Sequence, residues 1–209
     1  MTLFDVMKTG WDVEQAVMNH LDYWLPSYLA EIERQRGIRA RSIPMIRAFT
    51  SSNQFRKWPD ERFPTCVVIS PGVVGEPLRD GEGKYRANWA AGVAVVVKGR
   101  NKSEVSEKAK LYAAAVRGAI VQHPALKADG EDEFAGGVDW VDETYTDVPV
   151  EDERTLGAAQ GIFLVEVRDA VNTSAGLITA PDDPYNVPTD WPTVQTVEIR
   201  VERLEEEDE

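Results

Sequence analysis

Between residues 11 and 36, apolar side chains recur every three or four positions: Val13, Val17, Leu21, Trp24, Tyr28 and Ile32. This spacing draws one stripe along a helix and predicts a single buried face. Pro26 falls inside the stretch and has no N–H for the preceding turn. The expectation is a kink near Trp24 and Leu25, or a second helix opening at Pro26. Arg34 and Arg36 followed by Gly37 mark the end. A second stripe, Val105, Ala109, Tyr112, Ala113, Val116 and Ile120, predicts a second helix. Asn101 offers its N-cap, with Glu104 three residues on, and Pro124 closes it. Its several alanines suit close approach to a sheet or another helix.

Shorter apolar runs predict strands at residues 43–50, 65–70, 85–98, 137–146 and 160–171. Gly92 is expected to break or bulge the third of these. In the last, Ile162, Phe163, Leu164 and Val165 follow one another, which suggests burial on both faces. The long loop before Thr65 is basic and aromatic; Phe55, Trp58 and Phe63 are expected to cover the edge of the core. Residues 71–84, with four glycines and two prolines, read as a loop or an open hairpin. Strands interleaved with two helices place the chain in the α/β (α+β) class. After Asn172 the pattern changes. Pro181, Pro184, Pro188 and Pro192 mark a linker or extended arm. Val197, Ile199 and Val201 then alternate with charged residues as a strand would, ahead of an acidic tail. The expected division is a domain at 1–172 and, at 173–209, an extended C-terminal arm of linker, strand and tail.

With 209 residues, 43% hydrophobic and 28% charged, the chain can bury a core of ordinary size. No segment approaches the ~18 consecutive apolar residues of a membrane span, and the first residues do not read as a secretory signal. The lone cysteine, Cys66, lies in an apolar run and is expected to be an inert buried thiol, consistent with synthesis inside the cell. Charge adds more. The net −13 argues against tight general nucleic-acid binding, which draws its affinity from bases on phosphates. It is also unevenly spread. Residues 31–62 hold eight bases against four acids, and residues 128–155 hold one base against eleven acids. Two solvated faces would explain this; so would head-to-tail complementarity between copies, or a face turned to a polyanion. The candidate channel or interface acids are Asp129, Glu131, Asp132, Glu133, Asp139, Asp142 and Glu143. The candidate interface bases are Arg39, Arg41, Arg56 and Lys57, and Val197, Ile199 and Val201 are the candidate interface arm.

Catalytic chemistry finds little footing. His20 and His123 have no partner at metal-ligand spacing and are expected to be structural, His123 near the last carbonyls of its helix. No phosphate-binding loop or nucleophile elbow occurs. Strict alternation along residues 137–146 would put Asp139, Val141 and Glu143 on one face and Asp142 on the other. Two carboxylates make a poor site for a hard cation. The expectation is no catalytic residue, no metal and no cofactor. A small hydrolase or nuclease acting through the acidic cluster, and a monomeric binding module, are the alternatives from other classes.

The order of these features resembles a known family. A helix carrying Leu25-Pro26 ends in the charged stretch 33–37. There follow Phe63-Pro64-Thr65-Cys66-Val67-Val68-Ile69, the valine-rich strand 93–97 and the helix Lys110-Leu111-Tyr112-Ala113-Ala114-Ala115-Val116-Arg117. A tryptophan-bearing strand at 137–145 and a closing strand at 162–167 complete it. Over residues 11–171 this is similar to the tail terminator proteins of long-tailed bacteriophages, also called minor tail or tail-completion proteins. The resemblance implies a mixed, largely antiparallel sheet flanked by two main helices, and a non-enzymatic virion protein without catalytic residues. It implies a homo-oligomer, a hexameric ring, at the head-proximal end of the tail. Made in the host cytoplasm, the ring would cap the tail tube, stop its polymerisation and offer the surface for head–neck joining. The implied partners are the tail tube protein and a head-side neck or connector protein, with DNA passing through the channel without tight binding. Another head–tail connector or neck ring subunit is the neighbouring alternative.

Overall fold

The computed structural model describes residues 7–51, 58–79, 83–127, 133–148 and 155–172. Val197, Ile199 and Val201, with the rest of 173–209, lie outside these residues, as do Arg56, Lys57, Asp129, Glu131 and Asp132. The elements run α1 (Gly10–Arg36), β1 (Ala48–Thr50), a 3₁₀ turn (Asp60–Arg62), β2 (Thr65–Arg79), β3 (Lys84–Gly99), α2 (Lys102–Gln122), β4 (Ala135–Val148) and β5 (Thr155–Asn172). The strands form one sheet in the order β1-β2-β3-β5-β4, with β1–β2 parallel and every other pair antiparallel. This is an α+β fold with a mixed, mostly antiparallel open sheet and two helices.

Helix α1 does not stop at Pro26. Leu21, Leu25 and Leu29 are all buried in the main core and carry the helix across the proline. Pro26 and Asp22, whose carbonyl loses its partner, are exposed, so water can take the place of the missing bond. Thr9 opens the helix with a capping box: its Oγ1 accepts from the Asp12 N–H at 3.4 Å, and its own N–H donates to Asp12 Oδ2 at 2.6 Å. Gly37 ends it at φ 63°, a left-handed turn that favours glycine. At the start of α2, Asn101 Oδ1 accepts from the Glu104 N–H at 3.0 Å.

The strand expected at 43–50 shrinks to three residues. Pro44 has no N–H, and the neighbouring amides are taken by a side chain. The buried Glu33 carboxylate accepts from the Ile43 N–H at 2.7 Å and the Arg41 N–H at 2.8 Å. The Ile43 bond holds its pKa below the ordinary carboxylate range; burial opposes this and the Arg41 bond reinforces it. Tyr112 then donates its hydroxyl to the Pro44 carbonyl. β2, by contrast, continues past Pro71 to Arg79 and pairs antiparallel with β3, so of the loop and the open hairpin expected at 71–84 the structure shows the hairpin. Its register with β3 shifts between Ile69 and Gly72, where a proline owes the ladder no bond. The expected irregularity at Gly92 therefore belongs to the opposite strand; β3 passes Gly92 in unbroken register with β5.

Both helices pack on the same sheet face. Cys66 and Val68 of β2, Val93, Val95 and Val97 of β3, and Phe163, Val165 and Val167 of β5 meet the stripes of α1 and α2 in one core. Close approach depends on two glycines at the end of the sheet. A Cβ on Gly157 or Gly99 would stand 2.6 or 2.8 Å from the methyls of Val105 in the first turn of α2. Burial pushes the Cys66 thiol up to about 12, which leaves it protonated and inert. No described helix is long and apolar enough to cross a membrane.

Candidate functional site

The register fixes what the other face of the sheet presents. Directly opposed residues share a face, so four rows cross β2, β3, β5 and β4 in turn. They are Thr65-Val96-Ala158-Thr146, then Val67-Ala94-Gln160-Thr144, then Ile69-Gly92-Ile162-Asp142, and at the far end Gly72-Ala90-Leu164-Asp139. The small side chains Ala90, Gly92 and Ala94 on β3 leave a floor, and the larger ones on β2 and β5 form walls. The result is an apolar trough of about 420 Å³ whose lining holds no charged residue. Its upper end is closed by Trp58 and Phe63, which pack with Val67, Val96 and Leu156 in a second cluster. These are two of the aromatic residues expected to cover the core edge. Phe55 lies outside the described residues.

The acidic candidates divide between the two faces differently from strict alternation. The β4–β5 register shifts between Trp140 and Asp142, so Asp139 and Asp142 stand opposite Leu164 and Ile162 on the trough side. Both are exposed and border the trough along β4, and Glu133 is exposed just before that strand. Glu143 turns to the helix side. It takes a salt bridge from Arg117 Nη1 at 2.6 Å and a hydrogen bond from the Tyr145 hydroxyl. Arg117 also lies over the Trp140 ring at 4.7 Å, and Lys110 over Tyr145 at 5.7 Å. Glu143 is therefore committed to holding β4 against α2. Trp140, Val141 and Tyr145 remain about half exposed along this edge strand.

The bases lie at the opposite margin. Arg39 and Arg41 are exposed in the stretch that leads from α1 to β1, and Arg47 follows, donating to the Glu61 carbonyl at 3.0 Å. Arg39, Arg41, Asp139 and Asp142 form no ion pair among the described residues. Sheet order thus separates the two charged stretches: the basic one leads into edge strand β1 and the acidic one contains edge strand β4.

The two histidines come together, 103 positions apart in sequence. His20 is fully buried, with Nδ1 3.2 Å from the Lys127 carbonyl and Nε2 3.1 Å from that of Ala119. His123, the C-cap of α2, stacks on Trp24 at 3.8 Å and lies 6.1 Å from His20. This cluster ties α1 to the end of α2. Burial lowers the His20 pKa below its ordinary 6.5; the two carbonyls oppose this, and His123 adds to it. A lowered histidine pKa means the unfolded chain takes up the proton more readily. Its stabilising contribution is complete above the unfolded pKa and is lost as pH falls through the folded one. Urea midpoints are expected to fall from pH 7.5 to 5.5, and the fall should shrink in His20→Gln; an equal fall in both would contradict this. No three His, Cys, Asp or Glu side chains among the described residues could hold a metal ion.

Likeness to known proteins lies among solved structures. No family model matches, and no curated protein matches. Among solved structures, one similar chain comes from a "Virion of native gene transfer agent (GTA) particle", at 15% identity and a TM-score of 0.41, covering 68% of this chain and 93% of that one. Overlap at that level fixes no role for this chain.

Proposed function

We propose that this chain is a structural subunit of a phage-type virion, a tail terminator that assembles head to tail into a ring. The ring caps the tail tube at its head-proximal end, stops polymerisation and presents the surface that the neck joins. One observation carries the assembly: a single sheet has exposed Arg39 and Arg41 towards its β1 margin and exposed Asp139 and Asp142 on β4 at the other, none of the four in an ion pair among the described residues. Complementary patches on different sides of one molecule make a heterologous contact, and such contacts close into rings when the rotation allows. The assignment to a tail terminator rests on the resemblance of residues 11–171 to that family. The chain's net −13 suits a passage through which DNA slides without adhering. The strand pattern of residues 193–204 suits an arm that reaches a neighbouring copy.

A tube-length assay tests the assignment. Co-expressed with the tail-tube protein of the same virion, the chain is expected to bind tube ends and halt their growth. Rings that form but leave tube growth unchanged would move the chain to a neck or connector position instead.

A further inference from the structure

We infer that the apolar trough on the open sheet face is a socket for a second copy of this chain, filled by the corner between α1 and β1. This rests on the head-to-tail reading above and names its contact. The strands themselves carry the first argument. β3 and β5 have the near-continuous apolar sequence of strands buried on both faces. Among the described residues the helices cover only one face, and Trp58 with Phe63 covers only the end of the other. The trough between is uncharged in a chain with 28% charged residues, which suits a surface that loses its water.

Its occupant follows from the rim. On the β4 side the trough is bordered by Asp139 and Asp142, both exposed and neither in an ion pair among the described residues; Asp142 Oδ1 accepts only the Glu143 backbone N–H, at 2.8 Å, and keeps its charge uncompensated. A matching plug is therefore apolar at its tip and basic at its flanks. The 41–47 corner has that form: Pro44 and Met45 are exposed, with Arg41 before them and Arg47 behind. Glu33 fixes the Arg41 and Ile43 amides, and the Tyr112 hydroxyl fixes the Pro44 carbonyl. The plug is thus pre-organised, and less conformational freedom is lost on docking. Methionine adapts its shape to an irregular apolar groove. Plug and socket belong to different parts of the molecule, so each copy uses both, and the contact propagates from copy to copy.

Two charge-reversed variants test it. D139R/D142R carries a basic socket rim with a basic plug, and R41D/R47D carries an acidic plug with an acidic rim. Each alone is expected to run as a monomer by light scattering at low salt. Mixed one to one, they are expected to recover the wild-type mass, because each plug then meets an opposite rim. Circular dichroism confirms that each variant is folded before mixing. A cross-link gives a second reading. Met45→Cys with Ala94→Cys should yield a ladder of disulfide-joined chains that neither single variant gives, since Cys66 is buried. Failure of the mixture to associate, or wild-type assembly by either variant alone, overturns the proposal. So does an Ala94→Cys cross-link to Ile199→Cys within one chain, which would put the chain's own C-terminal segment in the trough. These readouts need no tail tube, so a restored mass with uncapped tubes would leave the contact standing and remove only the tail role.

Discussion

Phe163→Ala is expected to lower the stability of the domain by about 3–5 kcal/mol. Phe163 lies on β5, the strand bonded to both β3 and β4, and is 1% exposed on the helix side. It stands opposite Ala91 and Trp140, and its ring fills the space over Gly161, where a Cβ would come within 2.8 Å of it. The sheet backbone is held by ladders on both sides, and close-packed interiors relax only partly around a deletion. Against a total of about 5–15 kcal/mol the loss is large. At roughly 2–4 °C per kcal/mol for a domain of this size, the Tm should drop by roughly 6–20 °C. Ile162→Ala is the control. It removes a comparable apolar group from the next residue, which is half-buried on the open face, and should cost the monomer much less. Equal losses in thermal melts would mean that the two faces of β5 are covered alike, contrary to the fold.

Much of the fold is legible in local pattern because local physics decides it. The α2 stripe Val105, Ala109, Tyr112, Ala113, Val116 and Ile120 is buried throughout, the Asn101 cap forms, and Gly37 ends α1 as its position suggests. The errors arise where tertiary structure overrides a local rule. Pro26 breaks an isolated helix, but here it faces water while Leu21, Leu25 and Leu29 anchor the core. Alternation assigned Asp142 and Glu143 to the wrong faces, because one bulge after Trp140 inverts everything downstream, and the bulge shows only in the pairing with β5. Glu33 reads as one more helix-end charge, and nothing local announces that its carboxylate holds the amides of Arg41 and Ile43. The His20–His123 cluster depends on packing α1 against α2, which no spacing in sequence encodes. The trough did leave a trace in Ala90, Gly92 and Ala94, small residues at strand period on one face. What makes them a floor is the size of their neighbours on β2 and β5, and that requires the strand order.

Association of this chain with itself should have the largest effect of all, since it turns a 23.3 kDa chain into a particle several times heavier. The contact proposed joins an apolar plug to an apolar trough and flanks it with exposed charges. Salt should weaken the charged share, because exposed pairs are screened beyond a Debye length of about 8–10 Å near physiological ionic strength. The apolar share should persist. Both margins occur on every copy, so growth stops only when the last copy meets the first, and a closed ring has a single mass. Light scattering on the size-fractionated full-length chain at low salt is the most direct measurement. A single species of about six copies, shifting toward smaller species as salt rises, is the expected result. A chain that stays at its monomer mass at high concentration and low salt would contradict the account.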